Sequence, residues 1–349
     1  MEKRKLGTTD LEVSIACLGT MTYGNQNTEA QAHEQLDRAV EAGINFIDTA
    51  EMYAVPPSPE SYGKTETMIG NWLASRPGMR EKIILASKVA GRGLRWVRDG
   101  NAIIDRRNIL AAVDDSLKRL QTDYLDLYQL HWPNRPFYHF GQFWRFSPGK
   151  KETSSITENL HEVLETLGEL IQAGKIRHAG LSNESAWGTM KYLELAERFK
   201  LPRMQSIQNE YSLLYRLFEP DLAEVSMYEN VSLLAYSPLA TGMLTGKYRN
   251  GKIPEGSRWK IQSARHNQRN TPQAHAAVEA YTKLAKENDI SLNHMALAFA
   301  HQQYFMTSVI IGATTMDQLN SDLEAFELKL SSDLLKQIET IRRDFPIPY

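Results

Sequence analysis

The sequence predicts a TIM (β/α)8 barrel, and three observations carry that prediction. Eight short β-rich apolar runs alternate with amphipathic stretches. Parallel pairing follows, because each return crossing between parallel strands needs a helix. At 349 residues the chain also exceeds the roughly 250 of a basic barrel, which leaves room for added loops. The apolar runs are Ala16–Gly19, Asn45–Ile47, Lys82–Ser87, Tyr124–Leu130, Ile176–Gly180, Gln205–Gln208, Val231–Tyr236 and Ser308–Ile311. Helical patterns between them include Glu29–Glu41 before Gly43, Arg107–Leu120, Thr157–Gln172 before Gly174, and Ala186–Lys200 before Pro202, with ends read as Gly or Pro signals. Residues 2–15, with Gly7-Thr8-Thr9-Asp10 between two short runs, predict an N-terminal β-hairpin placed to plug the barrel's bottom. Two excursions exceed ordinary loop length: Trp132–Ile156, rich in aromatics, and Ser237–Asn270, rich in Lys and Arg. Both are expected as long loops at the C-terminal face, serving the site. No repeat, low-complexity tract or linker divides the chain, so one domain over residues 1–349 is expected. The competing reading, a doubly wound sheet, lacks a GxGxxG after its first strand.

Composition narrows the function. Hydrophobic residues make up 42% and charged residues 23%, which excludes a disordered or collagenous chain. A formal charge of -2 argues against nucleic acid or anionic lipid as a partner bound through the global field, and leaves a small molecule. The single Cys17 forms no internal disulfide, and none of the nine histidines stands in an HxxxH or HxH pair, so no metal site is expected. No signal-like start and no apolar run of membrane-spanning length is present, and a cytoplasmic, membrane-free protein is expected. Nothing in the pattern decides the oligomeric state.

In such a barrel the active site forms at the carboxyl ends of the strands. Asp48 follows the second run, Lys88 the third and His131 the fourth, so a carboxylate, an ammonium and an imidazole come to adjacent strand ends. Tyr53, five residues beyond Asp48, can fold its phenol back over the same mouth. An adjacent ammonium is expected to lower the phenol's pKa, the carboxylate to keep the ammonium charged, and the imidazole to bind an oxygen gaining negative charge. Each has a plainer reading as well: helix cap, structural ion pair, loop aromatic or satisfied histidine.

These residues belong to longer matches: Gly43 to Tyr53, Ser87-Lys88, Asp123 to His131, Gly180 to Asn183, Gln208-Asn209 and Tyr236 to Leu239. Together they resemble the aldo-keto reductase superfamily nearly end to end, and within it bacterial Tas-type members and, more distantly, voltage-gated potassium channel β subunits. The resemblance implies NADPH-dependent reduction of aldehydes or ketones, with Tyr53 as general acid, Lys88 tuning it, Asp48 pairing with Lys88 and His131 orienting the carbonyl.

Hydride must come from a cofactor, since no side chain supplies it. Ser182, Asn183 and Gln208, at the ends of the fifth and sixth strands, offer amide and hydroxyl groups for a carboxamide, and Tyr236 offers a ring for stacking. The alternative for Ser182-Asn183 is to cap the helix from Ala186. Between Lys247 and Arg269 seven Lys or Arg face one Glu255, a local +6 that suits pyrophosphate and a 2'-phosphate. Gly242 to Lys247 is one residue short of a P-loop, with Tyr248 where Ser or Thr belongs, and an NTPase is rejected. The resemblance implies cofactor contacts from Thr20, Met21, Ser237, Pro238, Leu239, Ala240, Thr241, Gly242, Lys247 and Arg258, and adenosine contacts from Gly312, Thr314, Gln318 and Asp322. Gln318 and the Ser321-Asp322 pair depart from the family pattern of Arg and Glu-Asn, which weakens the case for adenine stacking and for NADPH over NADH; NADPH is still favoured, with NADH possible. Tyr23, Trp96, Trp132 and Phe137 to Trp144 are candidates for an aromatic substrate pocket. Two other functions remain open at this point: a redox-sensing, nucleotide-binding regulatory subunit with slow turnover, and a Schiff-base enzyme using Lys88.

Overall fold

The computed structural model describes residues 1–149, 153–262 and 268–349. Parts of both predicted long loops, with Arg265 among them, lie outside the described residues. A two-stranded antiparallel hairpin, β1 (Lys3–Lys5) and β2 (Glu12–Ser14), precedes eight strands: β3 (Ala16–Gly19), β4 (Phe46–Asp48), β5 (Ile84–Val89), β6 (Leu125–Leu130), β7 (Ile176–Ser182), β8 (Met204–Glu210), β9 (Ser232–Tyr236) and β10 (Met306–Ile311). The eight close into a parallel barrel in chain order, sealed by β10 against β3 through Val309–Ala16 and Ile311–Leu18. All eight predicted runs are strands, with no end shifted by more than two residues.

The helices on the outside begin where the sequence supplies caps. Helix α1 (Glu29–Glu41) carries a capping box between Thr28 and Gln31, α2 (Lys64–Ala74) follows Gly63, and α3 (Arg106–Leu120) is capped by Asp105. Helix α4 (Thr153–Gln172) starts four residues before the predicted Thr157, and α5 (Ala186–Phe199) is capped by Ser185, whose hydroxyl accepts from Gly188 N–H. The C-terminal signals are less uniform than expected. Gly43 and Gly174 take positive φ, but α3 ends on Gln121 and α5 on Lys200, both non-glycine residues in the left-handed region.

Period-2 alternation along the strands separates the molecule into two apolar bodies and one polar layer. Outward residues such as Ile47, Leu85, Tyr128 and Leu181 join the main core under the helices. Inward residues at the lower end, Cys17, Phe46, Ile84, Ala86, Leu127, Leu234 and Ile310, form a second core with Leu6, Leu11 and Val13 of the hairpin. The hairpin therefore does plug the barrel's bottom, tied there by Gly7 N–H to Ser232 Oγ (2.8 Å) and Thr8 N–H to Gln205 Oε1 (2.9 Å). One step higher, the inward positions turn polar.

Candidate active site

Strand alternation places Asp48 two residues above Phe46, Lys88 two above Ala86, and Gln129 two above Leu127. The register seats Lys88 beside Gln129, and Asp48 beside Ala86. Lys88 has no exposed surface. Its Nζ donates to Asp48 Oδ2 (2.6 Å) and to Thr49 O (2.8 Å), and stands 3.4 Å from the Tyr53 hydroxyl. The other carboxylate oxygen of Asp48 accepts from the side-chain amides of Gln208 (2.8 Å) and Gln129 (3.1 Å). The His131 ring meets the Tyr53 ring edge-on, centroids 5.8 Å apart. The four residues predicted to converge do converge.

Their electrostatics differ from expectation at one point. Burial pushes the Tyr53 phenol up, and Lys88, although it opposes this, does not reverse it. The expected lowering is thus corrected: removing the phenol from water outweighs one ammonium at 3.4 Å. Burial also works against the charge on Lys88, but Asp48 and Tyr53 more than offset it and hold the ammonium above its usual range. An ammonium with no exposed surface, enclosed by Asp48, Thr49 and Tyr53, is poorly placed as an amine nucleophile, which argues against the Schiff-base reading. His131 is pushed well below the usual histidine range by burial and by Lys88, so it is a neutral imidazole. Its Nδ1 has no hydrogen bond among the described residues, whereas its carbonyl accepts from Asn183 Nδ2 (2.9 Å).

Around this core, Tyr236 OH donates to Asn183 Oδ1 (2.7 Å) and Ser182 Oγ donates to Gln208 O (2.9 Å). Because Ser185 caps α5, the capping alternative for Ser182 and Asn183 falls away. Thr20 Oγ1 donates to Asp48 O (2.9 Å), and Met21 Sδ receives Arg258 Nη2 at 3.0 Å. After β9 the chain passes through left-handed Ser237, then Pro238 and Leu239, then left-handed Ala240 and Thr241, to Gly242. A Cβ at Gly242 would meet Lys247 Cε at 2.7 Å. Thr241 Oγ1 is buried without a hydrogen bond among the described residues. Beyond β10, Gly312 precedes Thr314, whose N–H and hydroxyl both donate to Gln318 Oε1 (3.0 Å each). Gln318 is thereby folded back on its own loop. Asp322 is buried in α10 (Met316–Glu324; α6–α9 being Asp221–Glu229, Arg258–Ile261, Pro272–Glu287 and Leu292–His301), its carboxyl pushed up to about 7 by burial against the pull of Lys247.

Three sequence readings change. Tyr23 is no pocket wall: its ring is fully buried in the main core and its hydroxyl donates to Gln35 Oε1 (3.1 Å), because the turn after β3 carries it under α1. Of the aromatic candidates, Trp132 and Phe137 do pack with Tyr53, Met52, Val55 and Ala90, while Trp96 and Trp144 are exposed. The +6 segment is also smaller in effect than its sum. Arg249 is paired with Glu279, Lys260 with Glu255, and Arg269 with buried Glu210; the other described basic residues of the segment are Lys247, Lys252 and Arg258. Gln129 was missed, although its place two residues before His131 in an alternating strand marks it as inward. A cavity of about 540 Å³ opens beside this centre, between Trp132, Asn134, Arg135, Ser182, Glu184 and Tyr192, and none of Asp48, Tyr53, Lys88 or His131 lines it.

Comparison with known proteins identifies the family. The model of the aldo/keto reductase family matches residues 16–343. The chain belongs to that family. It is 51% identical over 352 residues to "Protein tas" of Escherichia coli, covering 100% of this chain and 99% of that one. Among aldo-keto reductase relatives, it is 30% identical over 349 residues to the NADH-specific methylglyoxal reductase of Escherichia coli, covering 95% of each. It is 29% identical over 354 residues to a putative voltage-gated potassium channel subunit beta of Schizosaccharomyces pombe, covering 99% of this chain and 94% of that one. Among the described residues, no helix is long and apolar enough to cross a membrane, and no cluster of His, Cys, Asp or Glu could hold a metal ion.

Proposed function

We propose that this aldo-keto reductase is an NADPH-dependent reductase of aldehydes or ketones, acting in the cytoplasm, with Tyr53 as proton donor. The observation that carries the reading is the buried chain from Asp48 through Lys88 to the Tyr53 hydroxyl, with neutral His131 beside it. The residues present fit a nicotinamide dinucleotide. The orphaned Thr241 hydroxyl, the left-handed turn at 237–242 and the Lys247 ammonium against Gly242 form a cradle for phosphate. Ser182, Asn183 and Gln208 offer polar groups for the carboxamide, and half-buried Tyr236 a ring for stacking. Membership of the family supports reading Thr20, Met21, Pro238, Leu239, Ala240 and Arg258 as further dinucleotide contacts, and Gly312, Thr314, Gln318 and Asp322 as adenosine contacts. Lys247 and Arg258 favour a 2'-phosphate; Asp322 beside Lys247 works against it, so NADH remains a weaker second cofactor.

The bound cofactor supplies the hydride. Tyr53 OH gives its proton to the substrate oxygen as charge gathers there; its raised pKa keeps it protonated at neutral pH, and an alkoxide is still the stronger base. Lys88 stabilises the phenolate left behind. Asp48 holds Lys88 in place and is itself oriented by Gln129 and Gln208. His131, neutral, carries one ring N–H and donates it to the same oxygen. Trp132, Met52, Val55 and Phe137 make the approach apolar, so aromatic or other apolar aldehydes fit better than sugars.

The test is loss of NADPH absorbance with an aromatic aldehyde, an α-dicarbonyl and an aldose, repeated with NADH and with Tyr53→Phe. Substrate-dependent loss that vanishes in Tyr53→Phe, with NADPH affinity retained, is expected. Tight NADPH retention with slow or no turnover would favour the regulatory-subunit reading that the likeness to a potassium channel subunit supports. Retained activity in Tyr53→Phe would remove it as the acid.

A further inference from the structure

Glu51 stands two residues before Tyr53 and has no exposed surface, yet it carries a carboxylate. A buried carboxylate needs both a counter-charge and hydrogen bonds. Glu51 has four donors. Its Oε1 accepts from Ala90 N–H (2.6 Å) and Arg98 Nη2 (2.8 Å); its Oε2 accepts from Tyr62 OH (2.7 Å) and Arg98 Nη1 (2.7 Å). The backbone repeats the tie: Glu51 N–H donates to Lys88 O (3.2 Å), and Gly63 N–H donates to Glu51 O (3.0 Å). Ala90 lies two residues beyond Lys88. The Glu51 carboxylate thus rivets the loop that carries Tyr53 to the strand end that carries Lys88, with Tyr62 and Arg98 clamping it from outside.

Arg98 adds an independent observation. It and Asp99 both occupy the left-handed region, at φ of 48° and 57°, which non-glycine residues adopt in succession only when something holds them there. The two-pronged guanidinium–carboxylate fork is such a hold, and it fixes direction as well as distance. An apolar pair could fill the same space without burying charge. What the ionic fork provides is a fixed geometry across the gap between the two reacting side chains.

We propose that Arg98, acting through Glu51, is a positioning residue that sets the separation of the Tyr53 hydroxyl from the Lys88 ammonium. The proposal rests on the reductase reading, since it assigns no contact with substrate. Arg98→Met keeps the alkyl stem and removes the fork. It is expected to bind NADPH as wild type does, by fluorescence titration, while kcat falls on the order of 10- to 100-fold, the loss that a displacement near 1 Å produces. The loss should appear in kcat rather than KM. The high-pH limb of the rate profile should move upward, because Tyr53 loses part of the ammonium that stabilises its phenolate. Arg98→Lys, which restores the charge without the fork, should recover part of kcat.

Wild-type kcat and an unmoved limb in an Arg98→Met protein that binds NADPH would overturn the proposal. If Arg98→Met does not fold, Tyr62→Phe removes one donor of the four and should shift kcat and the limb in the same directions by less; no shift there overturns it equally. If the wild-type protein reduces no carbonyl, the reductase reading fails first. Positioning is then read from the ultraviolet titration of the Tyr53 phenolate, taken as the difference from Tyr53→Phe, and an Arg98→Met titration identical to wild type would refute it.

Discussion

Lys88→Met isolates the charge on which the proton donor depends. Methionine retains most of the buried volume while removing an ammonium that lies 2.6 Å from Asp48 Oδ2 and 3.4 Å from the Tyr53 hydroxyl. At an effective dielectric of about 20, a unit charge at that separation stabilises a full phenolate by about 5 kcal/mol. The proton is only partly transferred in the transition state, so about half of this, ~2.5 kcal/mol, is expressed in the barrel's chemistry, or on the order of 10²-fold in kcat. Asp48 would keep its two amide donors but lose its counter-charge, and breaking a buried pair in this way costs about 3–5 kcal/mol of stability. The assay is therefore a paired one: kcat from NADPH oxidation, with urea denaturation and NADPH affinity showing that the variant is folded and loaded. A folded, NADPH-binding Lys88→Met protein with kcat within about threefold of wild type would refute the assignment of Lys88 to the acid.

Asp322 and Gly70 give two further tests. The folded Asp322 carboxyl keeps its proton up to about 7, whereas the unfolded chain releases it near pH 4, so stability is lost as pH rises between those values. Asp322→Asn should then outlast wild type in urea by about 3 kcal/mol more at pH 8 than at pH 5, and an equal difference at both would show that the carboxyl ionises normally. Gly70 lies in α2 where α3 ends, and a Cβ there would come within 2.9 Å of Leu120 C and closer still to the Arg119 carbonyl oxygen. Gly70→Ala gains about 1 kcal/mol of helix propensity but forces the two helices apart, and a net loss of about 1–3 kcal/mol in urea is expected.

The fold was legible because its signals are local. Each strand is a short apolar run and the stretches between them are amphipathic, and neither feature needs knowledge of a distant partner. The convergence of Asp48, Lys88 and His131 was legible for the same reason: a residue at a strand's carboxyl end has its place set by topology. The misreadings are of groups whose state depends on distant residues. Arg249 and Arg269 count as two positive charges in a local sum, but their partners Glu279 and Glu210 are 30 and 59 residues away. Tyr23 follows a strand end as Tyr53 does, yet its turn leads inward to Gln35. Gln129 could have been found, since alternation from Leu127 to His131 makes its direction inevitable.

The same locality explains why the Tyr53 pKa could not be read ahead of the structure. The direction depends on how dry the site is, and that is decided at the opposite end of the barrel. Leu6, Leu11 and Val13 of the hairpin close the lower opening over Phe46, Ile84, Ala86 and Leu127, and these residues separate the polar layer above from the barrel's lower mouth. With the floor sealed, Lys88 is left with Asp48, Thr49 and Tyr53 as its partners, and burial dominates the phenol. A wetter barrel would weaken both the penalty on Tyr53 and the attraction of Lys88 for its phenolate, since each scales with the local dielectric. The N-terminal hairpin, which carries no candidate catalytic residue, therefore belongs to the electrostatic design of the site as much as Asp48 does.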